Sequence, residues 1–134
     1  MPISWSQDLS VGVREIDEQH KIFVGILSDL YNLMFKGATE PEMSSLVKQL
    51  EAYTVFHFAT EERYFDKFGY EFADEHKAEH RELEARVAEF KVRIKNEGEA
   101  VLSELLDFLE NWLVEHLEIQ DKKYTTCFNE HGLS

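Results

Sequence analysis

Cysteine occurs once in these 134 residues, at Cys127, which excludes an internal disulfide and a cysteine-based zinc cluster. Any metal held here must be held by nitrogen and oxygen. Basic residues are also scarce: 14 Lys and Arg stand against 27 Asp and Glu, a net charge of -13. Such a surface repels phosphate backbones and anionic lipids, so neither nucleic acid nor a membrane is an expected partner. No apolar run approaches the ~18 residues that span a bilayer. Met1-Pro2-Ile3-Ser4-Trp5 has neither the basic start nor the apolar stretch of a secretory signal, and the expected location is the cytoplasm. Period-two alternation, low-complexity tracts and sequence repeats are missing too, which leaves no basis for strands.

What is present is an apolar fraction of 43% with ten Phe, enough for the core of a single domain over residues 1–134 without help from a metal. Four stripes recur at spacings of three and four. They run through Ile16, His20, Phe23, Leu27, Leu30 and Met34; through Leu46, Leu50, Tyr53, His57, Glu61 (or Thr60), Tyr64 and Phe68; through Ala73, His76, His80, Leu83, Val87, Phe90 and Ile94; and through Leu102, Leu105, Leu109, Trp112, His116 and Ile119. Helices are expected over about 17–37, 41–68, 73–96 and 99–120. Asp17 is the expected first N-cap, Thr39-Glu40-Pro41-Glu42 the second start, and Gly37, Gly69 and Gly98 the stops. Short connections make neighbours antiparallel. The expected fold is an all-α, up-down-up-down antiparallel four-helix bundle. Its N-terminal extended arm packs Ile3 and Trp5 on the body, and its short C-terminal helical tail ends frayed. With no obvious exposed apolar stripe, a monomer is expected.

Five of the six histidines, His20, His57, His76, His80 and His116, fall on these stripes where leucine would be the ordinary choice. Each buried imidazole without partners would cost a few kcal/mol, against a total stability of ~5–15 kcal/mol. A shared metal satisfies one nitrogen of each ring. Counting from the turns shows that the rings can meet, because antiparallel helices rise together at ~1.5 Å per residue. His20 lies about eighteen residues before the first turn and His57 about nineteen after it; His80 and His116 lie about eighteen either side of Gly98. Glu61, one turn from His57, joins the same layer.

Asp121 is the candidate second carboxylate, because five neutral imidazoles and one Glu balance two divalent cations poorly. Its separation of five residues from His116 over-rotates a regular helix, so a bulge, a tightened turn or a helix end is expected between them. Glu62 points about 100° from Glu61 and is expected to face solvent. Seven ligands are too many for one structural zinc, and imidazole with carboxylate suits iron, manganese or zinc. Two ions fit better. With both carboxylates and an oxide or hydroxide bridging, one coordination position stays open. No role is assigned to Cys127 or His131.

Trp5, Ile16-Asp17-Glu18-Gln19-His20-Lys21, His57-Phe58-Ala59-Thr60-Glu61-Glu62, Gly69-Tyr70, His76-x-x-x-His80 and Trp112-Leu113-x-x-His116-x-x-x-x-Asp121 together resemble the hemerythrin family, and its single-domain bacterial members most closely. Glu71 and Leu83 depart from that pattern, where Pro and Phe are frequent. The resemblance implies a non-haem di-iron centre, oxo- or hydroxo-bridged. His76, His80 and His116 would sit on one iron, His20 and His57 on the other, with Glu61 and Asp121 bridging. It further implies reversible O2 binding at the two-histidine iron, beside an apolar pocket at Trp112 and Leu113 with Phe23 and Phe58 as further wall. Storage of O2 in a bacterial cell, or its delivery to a partner such as an oxygen-consuming enzyme, is the expected role. Five His to two carboxylates favours binding over oxidation, since ferritin-like oxidases are carboxylate-rich. The alternatives are a di-iron enzyme acting on nitric oxide or peroxide, an iron donor, or an O2 or redox sensor, which would need an output module.

Overall fold

The computed structural model describes residues 4–134, apart from the side chain of Glu118. Helices α1 (Arg14–Lys36), α2 (Glu40–Phe68), α3 (Ala73–Glu97) and α4 (Ala100–Trp112) run in chain order. A π-helical segment, Leu113–Gln120, prolongs α4, a 3-10 turn follows at Asp121–Tyr124, and α5 (Thr125–Glu130) ends the tail. Helix α1 packs on α2 and α4, and α3 on α2 and α4. With connections of two to four residues, that arrangement is an up-down-up-down four-helix bundle, and no strand occurs among the described residues.

Helix α2 starts where the sequence says it should. Thr39 and Glu42 form a capping box, each side chain meeting the other's backbone N–H, with Pro41 in the first turn, so the orphaned first-turn donors are satisfied reciprocally. Gly69 closes the helix with φ 64°, the left-handed conformation that costs a residue with Cβ about 1–2 kcal/mol.

Helix α1 starts earlier than expected, at Arg14, with Val13 as its cap. Asp17 lies inside the first turn, and its carboxylate accepts from the Val11 N–H at 2.8 Å and from the Ser10 hydroxyl at 2.5 Å. It ties the preceding arm to the helix instead of capping it. In that arm Gln7–Leu9 form a 3-10 turn, Leu9, Val11 and Val13 are buried, and Trp5 packs half-buried on the main core. Ile3, the other anchor expected there, lies outside the described residues.

The core has two parts. A large cluster built on Phe23, Leu27, Leu50, Phe58, Leu83, Phe90, Leu105 and Leu109 fills most of the bundle. A smaller one joins Val11, Val13, Ile16, Phe65, Tyr70, Tyr124 and Phe128. On α2 the buried aromatic one turn past Glu61 is Phe65, and Tyr64 and Phe68 are only half-buried. The layer of His20, His57, Glu61, His76, His80, His116 and Asp121 lies between the two clusters along every helix, so apolar material seals it from both ends.

The C-terminal tail is not frayed through α5. Tyr124 and Phe128 are fully buried and stacked, with centroids 4.4 Å apart. Lys122 Nζ donates to the Asp8 carbonyl at 2.6 Å, and the Thr125 hydroxyl donates to the Val11 carbonyl, which pins tail to arm. Phe128→Ala is therefore expected to cost about 3–5 kcal/mol, read from urea unfolding; a loss below ~1 kcal/mol would show that the tail is dispensable. Helices α1 and α2 also expose Ile22, Val55 and Phe56.

Candidate metal centre

The periodicity that buries leucine elsewhere buries all seven polar candidates here, each at 3% exposure or less. His20 comes from α1, His57 and Glu61 from α2, His76 and His80 from α3, His116 from the π-helical segment and Asp121 from the 3-10 turn. Each pair one α-turn apart shares a face, as its spacing requires. The pair His116 and Asp121 is different. The Asp121 N–H donates to the His116 carbonyl, an i→i+5 bond, and this wider turn puts residues five apart on one face. Ile119, placed on the core stripe by α-helical spacing, is thereby turned out and 53% exposed, while Leu117 is buried.

The seven side chains converge as two groups sharing a member. One is Glu61, His76, His80 and His116; the other is His20, His57, Glu61 and Asp121; in each, the donor atoms lie within 4.8 Å of one another. Asp121 Oδ2 is 3.2 Å from His20 Nε2, while its Oδ1 is 2.8 Å from His76 Nε2 and 2.9 Å from His116 Nε2. Glu61 Oε1 is 3.0 Å from His80 Nε2 and 3.3 Å from His57 Nε2. Both carboxylates therefore span the two groups.

These approaches are short, yet Nε2 of His76, His80 and His116, Oε1 of Glu61 and both Asp121 oxygens are buried without hydrogen-bond partners. The tautomers explain part of this. Gln19 Nε2 donates to the Thr60 hydroxyl at 3.2 Å, and that hydroxyl donates to the Phe56 carbonyl at 3.0 Å. The amide oxygen of Gln19 is thus turned to His57 Nδ1, 2.6 Å away, and Nδ1 must donate. His57 Nε2 is then a lone pair, facing His20 Nε2 at 3.1 Å. His80 Nδ1 donates to Glu62 at 2.8 Å, leaving a second inward lone pair opposite Glu61. Unpaired lone pairs and two carboxylates, closed off from water, are a donor set that a cation satisfies. Imidazole nitrogen with carboxylate oxygen suits iron, manganese or zinc over calcium or magnesium.

Burial and the Asp121 charge push the Glu61 carboxyl up, while positive charge at the His57 and His80 rings, carried by ring protons or by a cation held in their place, outweighs them and holds it well below its usual range. Burial likewise opposes ionisation of Asp121, and His116, His20 and His76 override it. Both carboxylates are therefore anionic, as ligands must be.

The family model of the hemerythrin HHE cation-binding domain matches residues 11–127. The chain belongs to the hemerythrin family. That family binds O2 at a di-iron site. This hemerythrin is 35% identical over 130 residues to a bacteriohemerythrin of Pseudomonas aeruginosa, covering 97% of this chain and 83% of that one. It is 33% identical to a bacteriohemerythrin of Methylococcus capsulatus, covering 95% and 97%. A crystal structure of a hemerythrin mutant superposes with a TM-score of 0.84 at 28% identity, covering 93% of this chain and 95% of the other. No described helix is long and apolar enough to cross a membrane.

Of the four residues expected to wall an O2 pocket, Phe23, Phe58 and Leu113 are buried in the large cluster. Phe58 stacks flat on His80, centroids 3.8 Å apart, and Phe23 stacks on Tyr53, which stacks on His57. Trp112 differs. Its indole lies on the ring of His116, four residues later in the chain, 4.1 Å between centroids, and it also meets the ring of Phe58. It also lines a cavity of about 170 Å³ with Glu79, Glu82 and Glu115.

Three functional side chains escaped the stripes. Gln19 and Glu62 adjoin His20 and Glu61 in sequence, and Glu62 does not face solvent: its carboxylate takes His80 Nδ1 and the Arg81 guanidinium, 2.5 Å away. Tyr124, three residues past Asp121, donates to Glu61 Oε2 at 2.6 Å. Burial, then the charges of Glu61 and Asp121, raise its phenol well above the usual value, so it stays a donor. Tyr124→Phe leaves a buried carboxylate oxygen without its donor and is expected to cost about 1.5–3 kcal/mol. Urea unfolding of the metal-loaded protein reads it, and a change within ~0.5 kcal/mol would remove the bond from the account.

Proposed function

We propose that this hemerythrin binds O2 reversibly at two oxo- or hydroxo-bridged irons, for storage or delivery within the cytoplasm of a bacterial cell, as a single domain over residues 1–134. His76, His80 and His116 would hold one iron, His20 and His57 the other, and Glu61 and Asp121 would bridge. The observation that carries this reading is the sharing: two donor groups meet at Glu61, and Asp121 lies within 3.2 Å of rings from both. When bound, the iron pair supplies the electrons with which O2 is held.

The chain's own residues do the rest. Gln19 and Glu62 hold His57 and His80 with their Nε2 atoms inward. Tyr124 holds Glu61 from behind with a proton it does not give up. Phe58, Phe23, Leu113 and Trp112 keep the surroundings apolar, which protects the centre from water and protons, and Trp112 also covers the His116 ring. The ligand set, five imidazoles to two carboxylates, supports carrying over oxidation, because fewer anionic ligands stabilise high-valent iron less well than a ferritin-like shell does.

Metal analysis with optical spectra tests the reading. Two irons per chain are expected, with absorption bands that appear when the reduced protein is aerated and vanish when O2 is removed. Irreversible bleaching, or steady consumption of nitric oxide or peroxide with a reductant, would favour an enzyme instead.

A further inference from the structure

Behind the inward-facing imidazoles the two groups differ in charge. His57, in the two-histidine group, donates to the neutral amide of Gln19, and the chain continues through Thr60 to a backbone carbonyl with no ionised member. His80, in the three-histidine group, donates at 2.8 Å to the carboxylate of Glu62, whose side chain is only 17% exposed. A second carboxylate, Glu79, stands 3.8 Å from His116 Nδ1, beyond hydrogen-bond reach and 37% exposed.

The acceptor behind a ligating imidazole sets how strong a donor its other nitrogen is. A carboxylate draws the Nδ1 proton more strongly than an amide does, and the ring gains imidazolate character. A more basic Nε2 favours the higher oxidation state of the metal it faces. The amide behind His57 has a weaker effect, and the salt bridge from Arg81 moderates Glu62 without neutralising the hydrogen bond.

We infer, resting on the di-iron reading, that Glu62 and Gln19 are positioning residues that make the two metal positions electronically unequal. The carboxylate behind His80 lowers the potential at the His76–His80–His116 position, and the amide behind His57 leaves the His20–His57 position easier to keep reduced. A one-electron outer-sphere oxidant such as ferricyanide, itself reduced to ferrocyanide, then takes its electron first from the three-histidine position.

Redox titration of the iron-loaded protein, followed by the optical spectrum and by Mössbauer spectroscopy of the half-oxidised form, tests this. Glu62→Gln keeps an acceptor of nearly the same shape and removes its charge. It is expected to raise the reduced-to-oxidised ratio at a fixed potential about tenfold, equivalent to ~59 mV for one electron. Gln19→Glu is expected to shift it the opposite way. Glu79→Gln removes a charge 3.8 Å from its ring nitrogen, against 2.8 Å for Glu62, that makes no hydrogen bond, and its shift is expected to be several-fold smaller. Exchanging both residues, Gln19→Glu with Glu62→Gln, is expected to reverse which position is ferric in the half-oxidised protein. Equal shifts from Glu62→Gln and Glu79→Gln, or none from Glu62→Gln and Gln19→Glu, would overturn the inference while two irons per wild-type chain and reversible O2 bands still stood. Wild-type protein without two irons would overturn both.

Discussion

Asp121→Ala is expected to retain fewer than one iron per chain and to lose the oxygen-dependent absorption. The three imidazoles within 3.2 Å of Asp121 come from α1, α3 and the π-helical segment, so one side chain joins three parts of the bundle. Without it the layer keeps five neutral rings and a single negative charge, Glu61, for two divalent cations. Loss of an outer-sphere partner alone costs about 10–100-fold in metal affinity, and a shared direct ligand is expected to cost more. Asp121→Asn separates charge from shape: it keeps the size of the side chain but only one neutral acceptor, and is expected to lose iron nearly as fully. Iron per chain after gel filtration is the readout, and two retained irons in Asp121→Ala would remove Asp121 from the centre.

Stripping the metal is expected to lower the melting temperature by more than ~10 °C. A ligand present at about a thousand times its dissociation constant stabilises the native state by ~4 kcal/mol, and for a chain of this size each kcal/mol shifts melting by about 3–5 °C. The unpaired atoms of His76, His80, His116, Glu61 and Asp121 are the structural reason. Each such buried group costs about 1–3 kcal/mol until something satisfies it, and the two apolar clusters on either side prevent water from doing so. Anaerobic calorimetry with and without a chelator measures the difference, and an unchanged transition would mean that the layer is stable on its own.

Periodicity alone disclosed most of the buried layer of histidines and carboxylates. His20, His57, Glu61, His76, His80 and His116 each occupy a position where the three-and-four spacing demands an inward side chain, and equal distances from the turns bring them to one depth. Those are local rules, and a helix obeys them wherever it packs. The capping box at Thr39 was legible for the same reason, since it involves residues three apart.

Other features depended on partners remote in sequence. Asp17 turned back to hold the arm because Val11 and Ser10 fold over it. Glu62 found His80 on the next helix, which the angle between Glu61 and Glu62 could not reveal. Gln19 and Tyr124 are hydrogen-bond partners of residues on α2, and nothing in their own surroundings marks them beyond nearness to a ligand. The same holds for Ile119, turned out by the local widening of the helix, and for Trp112, whose indole lies on the His116 ring.

The amino-acid order by itself determined that this chain forms four antiparallel helices with imidazoles and a carboxylate facing inward at a common level, because helical pitch converts spacing into direction. The tertiary structure decided how Asp121 reaches that level, through an i→i+5 turn after α4, and which side chains stand behind the rings. A helix departs from its regular turn, and a polar group chooses its partner, only when the rest of the bundle makes the alternative an unsatisfied charge in an apolar core.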